Sequence, residues 1–223
     1  MNVQALPTRK RLEYNPITSM KTLKKSQRIY LAFKRIIDVF GSLLGIILLS
    51  PLLLICWFLT KVTSKGPAIF KQPRAGYQAR TFIIYKFRSM KVGAPNVGAE
   101  ALTKEQQKNL ATPWGRFIRK TSLDEIPQLF NILKGDMSFI GPRPGLTKEG
   151  EPELFVARSS FVPSAYDVKP GLSGYAQIML KRSPDVNERA RYDSYYVQHL
   201  SLGFDIKVFV LSFLTLFGFN KGR

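Results

Sequence analysis

The sequence predicts a small, α-rich α/β domain built at a membrane, with one kinked apolar helix, amphipathic helices along the interface and a short β-hairpin. Three observations carry that expectation. An uncharged apolar run has Ser-Pro near its middle, a β-branched and aromatic stretch is interrupted by Ala-Gly, and Lys plus Arg number 34 against 15 acids.

The apolar run is VFGSLLGIILLSPLLLICWFLT, from Val39 to Thr60, without one Asp, Glu, Lys or Arg. At about 1.5 Å per helical residue it is long enough for a hydrocarbon core of about 30 Å. Pro51 removes a backbone hydrogen bond and crowds the preceding turn, so a kink is expected at Ser50–Pro51. Ser50 could satisfy a carbonyl freed by that bend. Lys34 and Arg35 precede the run, and Lys61, Lys65, Lys71 and Arg74 follow it. Lys and Arg gather on the cytoplasmic side of membrane segments, so two basic flanks favour a helix that enters and returns. Each half, about 11 residues, would then reach roughly mid-bilayer. An ordinary transmembrane helix with a kink is the alternative.

Within the first 35 residues, Arg9, Lys10, Arg11, Lys21, Lys24, Lys25 and Arg28, with Lys34 and Arg35, stand against the single acid Glu13. This reads as a basic tail turning into an amphipathic lead-in near Ile29, not as a secretory signal, because no small-residue cleavage pattern follows the apolar segment. After the run, residues 69–90 (IFKQPRAGYQARTFIIYKFRSM) predict the hairpin. Residues 91–112 predict a polar loop and a short exposed helix. Ser122 is placed to cap a helix whose first turn holds Asp124 and Glu125, with Leu129, Phe130, Ile132 and Leu133 on its apolar face. Proline and glycine make residues 141–174 mostly loop, and RSPDVNERARYDSYYVQHL predicts a helix. The apolar end, Val208 to Asn220, is too short to span a bilayer.

At 223 residues the chain fits one domain with appendages, at about 100–200 residues per domain. A formal charge of +19 calls for a polyanion: nucleic acid, an anionic membrane surface or phosphorylated small substrates. The uncharged apolar run and the lack of a nucleic-acid motif argue against the first. Cys56 and His199 are single, which excludes an intrachain disulfide and Cys/His metal clusters.

Adjacent carboxylates on a helix point about 100° apart, so Asp124 and Glu125 can serve one site in two roles. With Arg116, Arg119 and Lys120 just before them, they suit a phosphate–Mg²⁺ site, although Asp-Glu is also a common helix start. In GDMSFIGPRP two rigid prolines bracket Arg143 and fix where a bidentate donor points. VKPGLSGYAQ adds Lys169 and Gln177, and YKFRSM puts Lys86 and Arg88 on one face of a strand.

Taken in order, KRIIDVFGSLLGIILLSP, KFRSM, TSLDEIPQLFNILKGDMSFIGPRP and KPGLSGYAQ resemble the bacterial sugar transferase family, the monotopic polyprenyl-phosphate phosphoglycosyl transferases, in its small single-domain form. The resemblance runs from about Phe33 to Leu216. It implies a basic tail at 1–30, a re-entrant helix at 31–61 broken at Ser50–Pro51, and a catalytic domain at 62–223 with interfacial helices. It implies that Asp124 attacks the β-phosphorus of a UDP-sugar, that UMP leaves, and that polyprenyl (undecaprenyl) phosphate attacks the resulting phosphosugar adduct to begin glycan assembly. Direct attack in a ternary complex is the competing enzyme reading, and a basic membrane-binding module the non-enzymatic one. The same resemblance puts Mg²⁺ at Asp124 and Glu125, with Glu125 placing metal or assisting a proton. Lys86, Arg119 and Arg143 would contact phosphate. Lys169, Gln177, Lys181, Arg182 and Asp205 are candidate donor contacts, and the string from Ile178 to Arg182 departs from the family pattern. Partners would be a UDP-sugar, polyprenyl phosphate, a lipid bilayer and a second copy of the chain, with no nucleic acid. The location implied is the cytoplasmic face of a bacterial inner membrane.

Overall fold

The computed structural model describes residues 23–95, 97, 102–180 and 185–216. The apolar run and its lead-in form two helices, α1 (Lys25–Leu48) and α2 (Ser50–Thr63), bent by 64° across Leu49. Pro51 lies in the first turn of α2, where a missing N–H is no loss. The Ser50 hydroxyl donates to the Ile47 carbonyl at 2.8 Å, so a carbonyl at the bend has the partner expected for it. Among the described residues no single helix is long and apolar enough to cross a membrane; α1 and α2 meet that test only as a bent pair.

α1 starts at Lys25, earlier than a tail ending at residue 30 allows. Leu23 is buried, and the Gln27 amide donates to the Val197 and Gln198 carbonyls, both at 3.0 Å. These two residues, within the stretch read as basic tail, dock on the body. Positions 1–22 of that tail lie outside the described residues. The polarity of α1 is inverted. Gln27, Lys34, Asp38 and Ser42 face the protein, while Ile29, Phe33, Ile36, Phe40, Leu44 and Ile47 are exposed.

The hairpin forms as expected: β1 (Ile69–Ala75) pairs antiparallel with β2 (Thr81–Phe87), from Ile69↔Phe87 to Ala75↔Thr81. The short polar helix follows as α3 (Lys104–Leu110), capped reciprocally by Thr103 and Gln106. Thr112 then caps α4 (Pro113–Lys120), its hydroxyl accepting from the Gly115 N–H at 2.8 Å. A Cβ on Gly115 would lie 1.9 Å from the Ser89 carbonyl. Only glycine lets α4 sit this close to the chain leaving β2.

A 3₁₀ turn, Leu123–Glu125, leads to α5 (Gln128–Lys134), β3 (Ser138–Ile140), α6 (Pro152–Ser159), β4 (Gly171–Ser173), α7 (Tyr175–Leu180), α8 (Val186–Gln198) and α9 (Leu202–Leu216). β3 and β4 form a parallel pair, closed where a Cβ on Gly171 would meet the Gly141 nitrogen at 2.1 Å. The loop-rich reading of residues 141–174 missed α6 and β4, because short elements between prolines leave no periodicity. α8 falls within the stretch expected to be helical, of which residues 182–184 lie outside the described residues. α9 begins at Leu202, six residues before the apolar end read from Val208, and Phe217 to Asn220 lie outside the described residues.

Three apolar clusters hold these pieces. Ile140, Val168, Ile178, Tyr196, Val197, Leu200 and Val208 join β3 to α7, α8 and α9. Ile84, Leu129, Ile132 and Met137 join β2 to α5. Cys56, Phe87 and Ile118 join α2, β2 and α4. Cys56 is thus a buried packing residue, while His199 is exposed and stacks on Tyr195 at 3.9 Å.

Candidate active site

Three elements meet at the Asp124–Glu125 pair. α4 delivers the chain to Ser122, which turns left-handed (φ 57°, ψ 15°) and gives no side-chain cap. The pair therefore lies in a 3₁₀ turn, not in the first turn of a Ser-capped α-helix; a residue with positive φ cannot take the extended geometry of an N-cap. A non-glycine residue held in that region costs energy and is characteristic of functional sites. The turn closes through Glu125 N–H to Ser122 O at 3.1 Å and Ile126 N–H to Leu123 O at 3.3 Å.

β2 supplies Lys86, whose ammonium donates to Glu125 Oε1 at 2.7 Å. The turn after β3 supplies Arg143, whose Nη2 donates to the same oxygen at 2.6 Å and whose Nη1 lies 3.5 Å from Oε2. Glu125 is thus clamped by two cations and has a side chain only 19% exposed. Burial by itself would raise its carboxyl, but the charges of Arg143 and Lys86 overcome this and hold it far below the usual carboxylate range.

Asp124 is different. Among the described residues its carboxylate takes no hydrogen bond or ion pair, and burial followed by repulsion from Glu125 pushes its pKa up to about 6. Lys86, Arg119 and Arg143 pull in the other direction without cancelling the shift. Two neighbouring carboxylates are therefore driven apart, one locked and one free.

The other expected residues distribute unevenly. Arg119 stands in the last turn of α4, where its charge reaches Asp124 while its Nη2 lies 3.4 Å from Gln107 Oε1. Arg88 does not join Lys86: β2 ends at Phe87, and Arg88 turns to the Ser64 carbonyl and hydroxyl, both at 2.7 Å. Gln177, in α7, approaches Gly174 beside the Arg143 backbone, and its buried Oε1 has no hydrogen-bond partner among the described residues. Lys169 lines a separate cavity of about 260 Å³ with Lys34, Arg35, Asp38 and Tyr196. Asp205 lies at the junction of α1, α8 and α9, where it accepts from Tyr30, Lys34 and Tyr196. Lys181 and Arg182 lie outside the described residues.

Sequence reasoning missed Asn131. Its side chain on α5 acts as a third strand beside β2: Oδ1 accepts from Tyr85 N–H at 2.9 Å and Nδ2 donates to the Ile83 carbonyl at 2.7 Å. That clamp fixes Lys86, one residue on, against the turn carrying Glu125. Only a strand edge left unpaired next to a helix could have pointed to it. Asn131→Ala leaves two strand groups without partners, and the expected loss of stability is about 2–4 kcal/mol. Denaturant unfolding in detergent measures it, and a change under about 0.5 kcal/mol, the size typical of a neutral surface site, would contradict the clamp.

Magnesium fits this donor set in a limited way. Among the described residues no cluster of three or more acidic, Cys or His side chains could hold a metal. A Mg²⁺ here would need substrate phosphates as ligands, as that ion commonly does. Asp124 has free oxygens to offer, and Oε2 is the less engaged oxygen of Glu125.

Comparison with known proteins finds relatives over most of the chain. A UDP-glucose:undecaprenyl-phosphate glucose-1-phosphate transferase of Klebsiella pneumoniae is 38% identical over 194 residues, covering 85% of this chain and 40% of that protein. A UDP-N-acetylgalactosamine-undecaprenyl-phosphate N-acetylgalactosaminephosphotransferase of Aeromonas hydrophila is 37% identical over 196 residues, covering 85% and 45%. An undecaprenyl-phosphate galactose phosphotransferase of Salmonella typhimurium is 39% identical over 199 residues, covering 83% and 40%. The chain thus spans less than half the length of these relatives. The profile described as bacterial sugar transferase matches residues 29–218, from α1 through α9 with Asp124, Glu125, Lys86 and Arg143 inside it, and the chain belongs to that family.

Proposed function

We propose that this chain is a phosphoglycosyl transferase that moves a sugar 1-phosphate from a UDP-sugar to polyprenyl phosphate through a covalent intermediate on Asp124. The observation that carries this reading is the asymmetry of the dyad, a free carboxylate at Asp124 beside a Glu125 held by Lys86 and Arg143. In the first step a carboxylate oxygen of Asp124 bonds to the β-phosphorus, the bond to the bridging oxygen breaks, and UMP leaves with that electron pair. In the second step an oxygen of polyprenyl phosphate attacks the same phosphorus and Asp124 leaves as a carboxylate. Both nucleophiles are already anionic, so no general base is required. Glu125 accordingly serves to orient Lys86 and Arg143 as cationic groups beside the diphosphate. Mg²⁺, bound through Asp124 and the donor phosphates, would supply further charge neutralisation.

Membrane placement is part of the same proposal. Its support is the apolar outer face of α1 and the bend at Leu49, which suit insertion from one side at the cytoplasmic face of a bacterial inner membrane. Polyprenyl phosphate would then meet the site at that surface.

The test supplies UDP-glucose, UDP-galactose and UDP-N-acetylgalactosamine with undecaprenyl phosphate and Mg²⁺ to detergent-solubilised protein and measures UMP. If a folded sample turns over none of these donors, the reading fails. Omitting the acceptor and searching by mass spectrometry for a phosphosugar on the Asp124 peptide separates the covalent route from direct attack.

A further inference from the structure

The Pro142-Arg143-Pro144 turn has every carbonyl from 142 to 145 occupied. Pro142 O accepts from Gly171 N–H at 2.9 Å and Gly145 O accepts from Ala75 N–H at 3.1 Å. Pro144 O accepts from Arg74 Nη1 at 3.2 Å. The Arg143 carbonyl, on the residue that reaches Glu125, accepts from Arg158 Nη2 at 2.9 Å.

Two of these four donors are guanidinium groups, Arg74 and Arg158, and Arg158 is the more deeply buried. It is a buried charge on α6, and its Nε and Nη2 also grip Asp193 Oδ2 of α8 at 2.9 and 2.5 Å. The two side chains are 2% and 1% exposed. Its own carbonyl is tied by the Ser164 hydroxyl at 2.9 Å. A buried ion pair is poor evidence of stabilisation, since apolar residues of similar volume often do as well. What apolar residues cannot do is donate to the Arg143 backbone.

We propose that Arg158, oriented by Asp193, is a positioning residue that aims Arg143 at Glu125 and at the donor's diphosphate. The proposal rests on the reading of this site as the centre of phosphosugar transfer. Arg158 does not reach the dyad itself: it holds the point from which the Arg143 side chain departs. The prolines on either side restrict the backbone and, having no N–H, tie the turn to its neighbours only through their carbonyls, to Gly171 and Arg74. Those bonds hold the flanks of the turn. The guanidinium bridge from α8 adds a contact at the carbonyl of Arg143 itself, the residue whose side chain must be aimed. Misplacing a charged donor by even about 1 Å in such a site is expected to cost as much as about 10²-fold in rate.

The test is a double-mutant cycle on UMP release from UDP-glucose or UDP-N-acetylgalactosamine, whichever turns over. Arg158→Lys keeps the charge but lacks the fork that spans Asp193 and the Arg143 carbonyl. It is expected to lower kcat/KM by about 10- to 100-fold in the native background and by less than about twofold in an Arg143→Ala background. Equal losses in both backgrounds overturn the proposal and leave the site reading intact. If Arg143→Ala alone leaves UMP release unchanged, the site reading itself is what fails. Should Arg158→Lys not fold, Asp193→Asn runs the same cycle, because it keeps the shape and one acceptor while freeing the guanidinium. Additive behaviour there likewise refutes the positioning role.

Discussion

Asp124→Asn is expected to cut UMP release by about 10³-fold or more, the scale of losing a covalent nucleophile, while making the folded chain more stable above pH 6. The two effects share one cause. Burial and the Glu125 charge raise the Asp124 pKa to about 6, above the ordinary 3.8. A carboxyl whose folded pKa is raised binds its proton more tightly in the folded state, so ionising it at neutral pH costs stability. Asparagine removes that cost. The expected gain is about 1–2 kcal/mol at pH 7.5, after a discount for partial exposure, fading to nothing as pH falls towards 4. Glu125→Gln should behave oppositely on stability. Its carboxyl is held low by Arg143 and Lys86, so it contributes stability at neutral pH that is lost in acid. Thermal unfolding of both variants at pH 5 and 7.5, beside UMP release, separates the roles. A stability change of the same sign for both at pH 7.5 would contradict the locked-and-free arrangement.

The largest structural effect is expected at Asp205. Its carboxylate pairs with Lys34, accepts from Tyr30 at 2.6 Å and accepts from Tyr196 at 2.7 Å. The Lys34 and Asp205 side chains are 9% and 8% exposed. Asp205→Ala strands a buried ammonium and two hydroxyls, and the loss should be about 3–5 kcal/mol. Because α1 is held through this contact, limited proteolysis should open the chain near Lys24 and Lys25 before the rest. Removing both charges, with Lys34→Met and Asp205→Leu, should recover the part of the loss owed to the stranded ammonium, while the Tyr30 and Tyr196 hydroxyls still lack Asp205. Failure of the double variant to recover would mean the pair does more than satisfy itself.

The residues that the sequence announced are those whose signal is local. Ser50–Pro51 marks a helix break because proline acts on its own turn, and the hairpin is marked by alternation around Ala-Gly. Asp124, Glu125, Lys86 and Arg143 stood out through charge, spacing and the flanking prolines. What stayed hidden depends on partners far along the chain. Asn131 matters only because β2 has an open edge beside α5, and Arg158 only because Asp193, 35 residues on, lies under it. The left-handed turn at Ser122 was hidden as well, since serine before two acids predicts a cap equally well. Asp205 was singled out only by the family resemblance, as a candidate donor contact, and not as the partner of Lys34, which is 171 residues away.

The inverted polarity of α1 carries a consequence for assembly. For most helices, burial against the body and protection from water are one event. For α1 they are two, because the stripe with Gln27, Lys34 and Asp38 is satisfied by protein, whereas the apolar outer face gains nothing from folding in water. A chain released into an aqueous compartment could complete every internal hydrogen bond of α1 and still present a sticky flank to other copies. On the membrane placement proposed above, lipid is the last structural component, and the order in which the helix meets bilayer and body would decide between a membrane-bound fold and an aggregate.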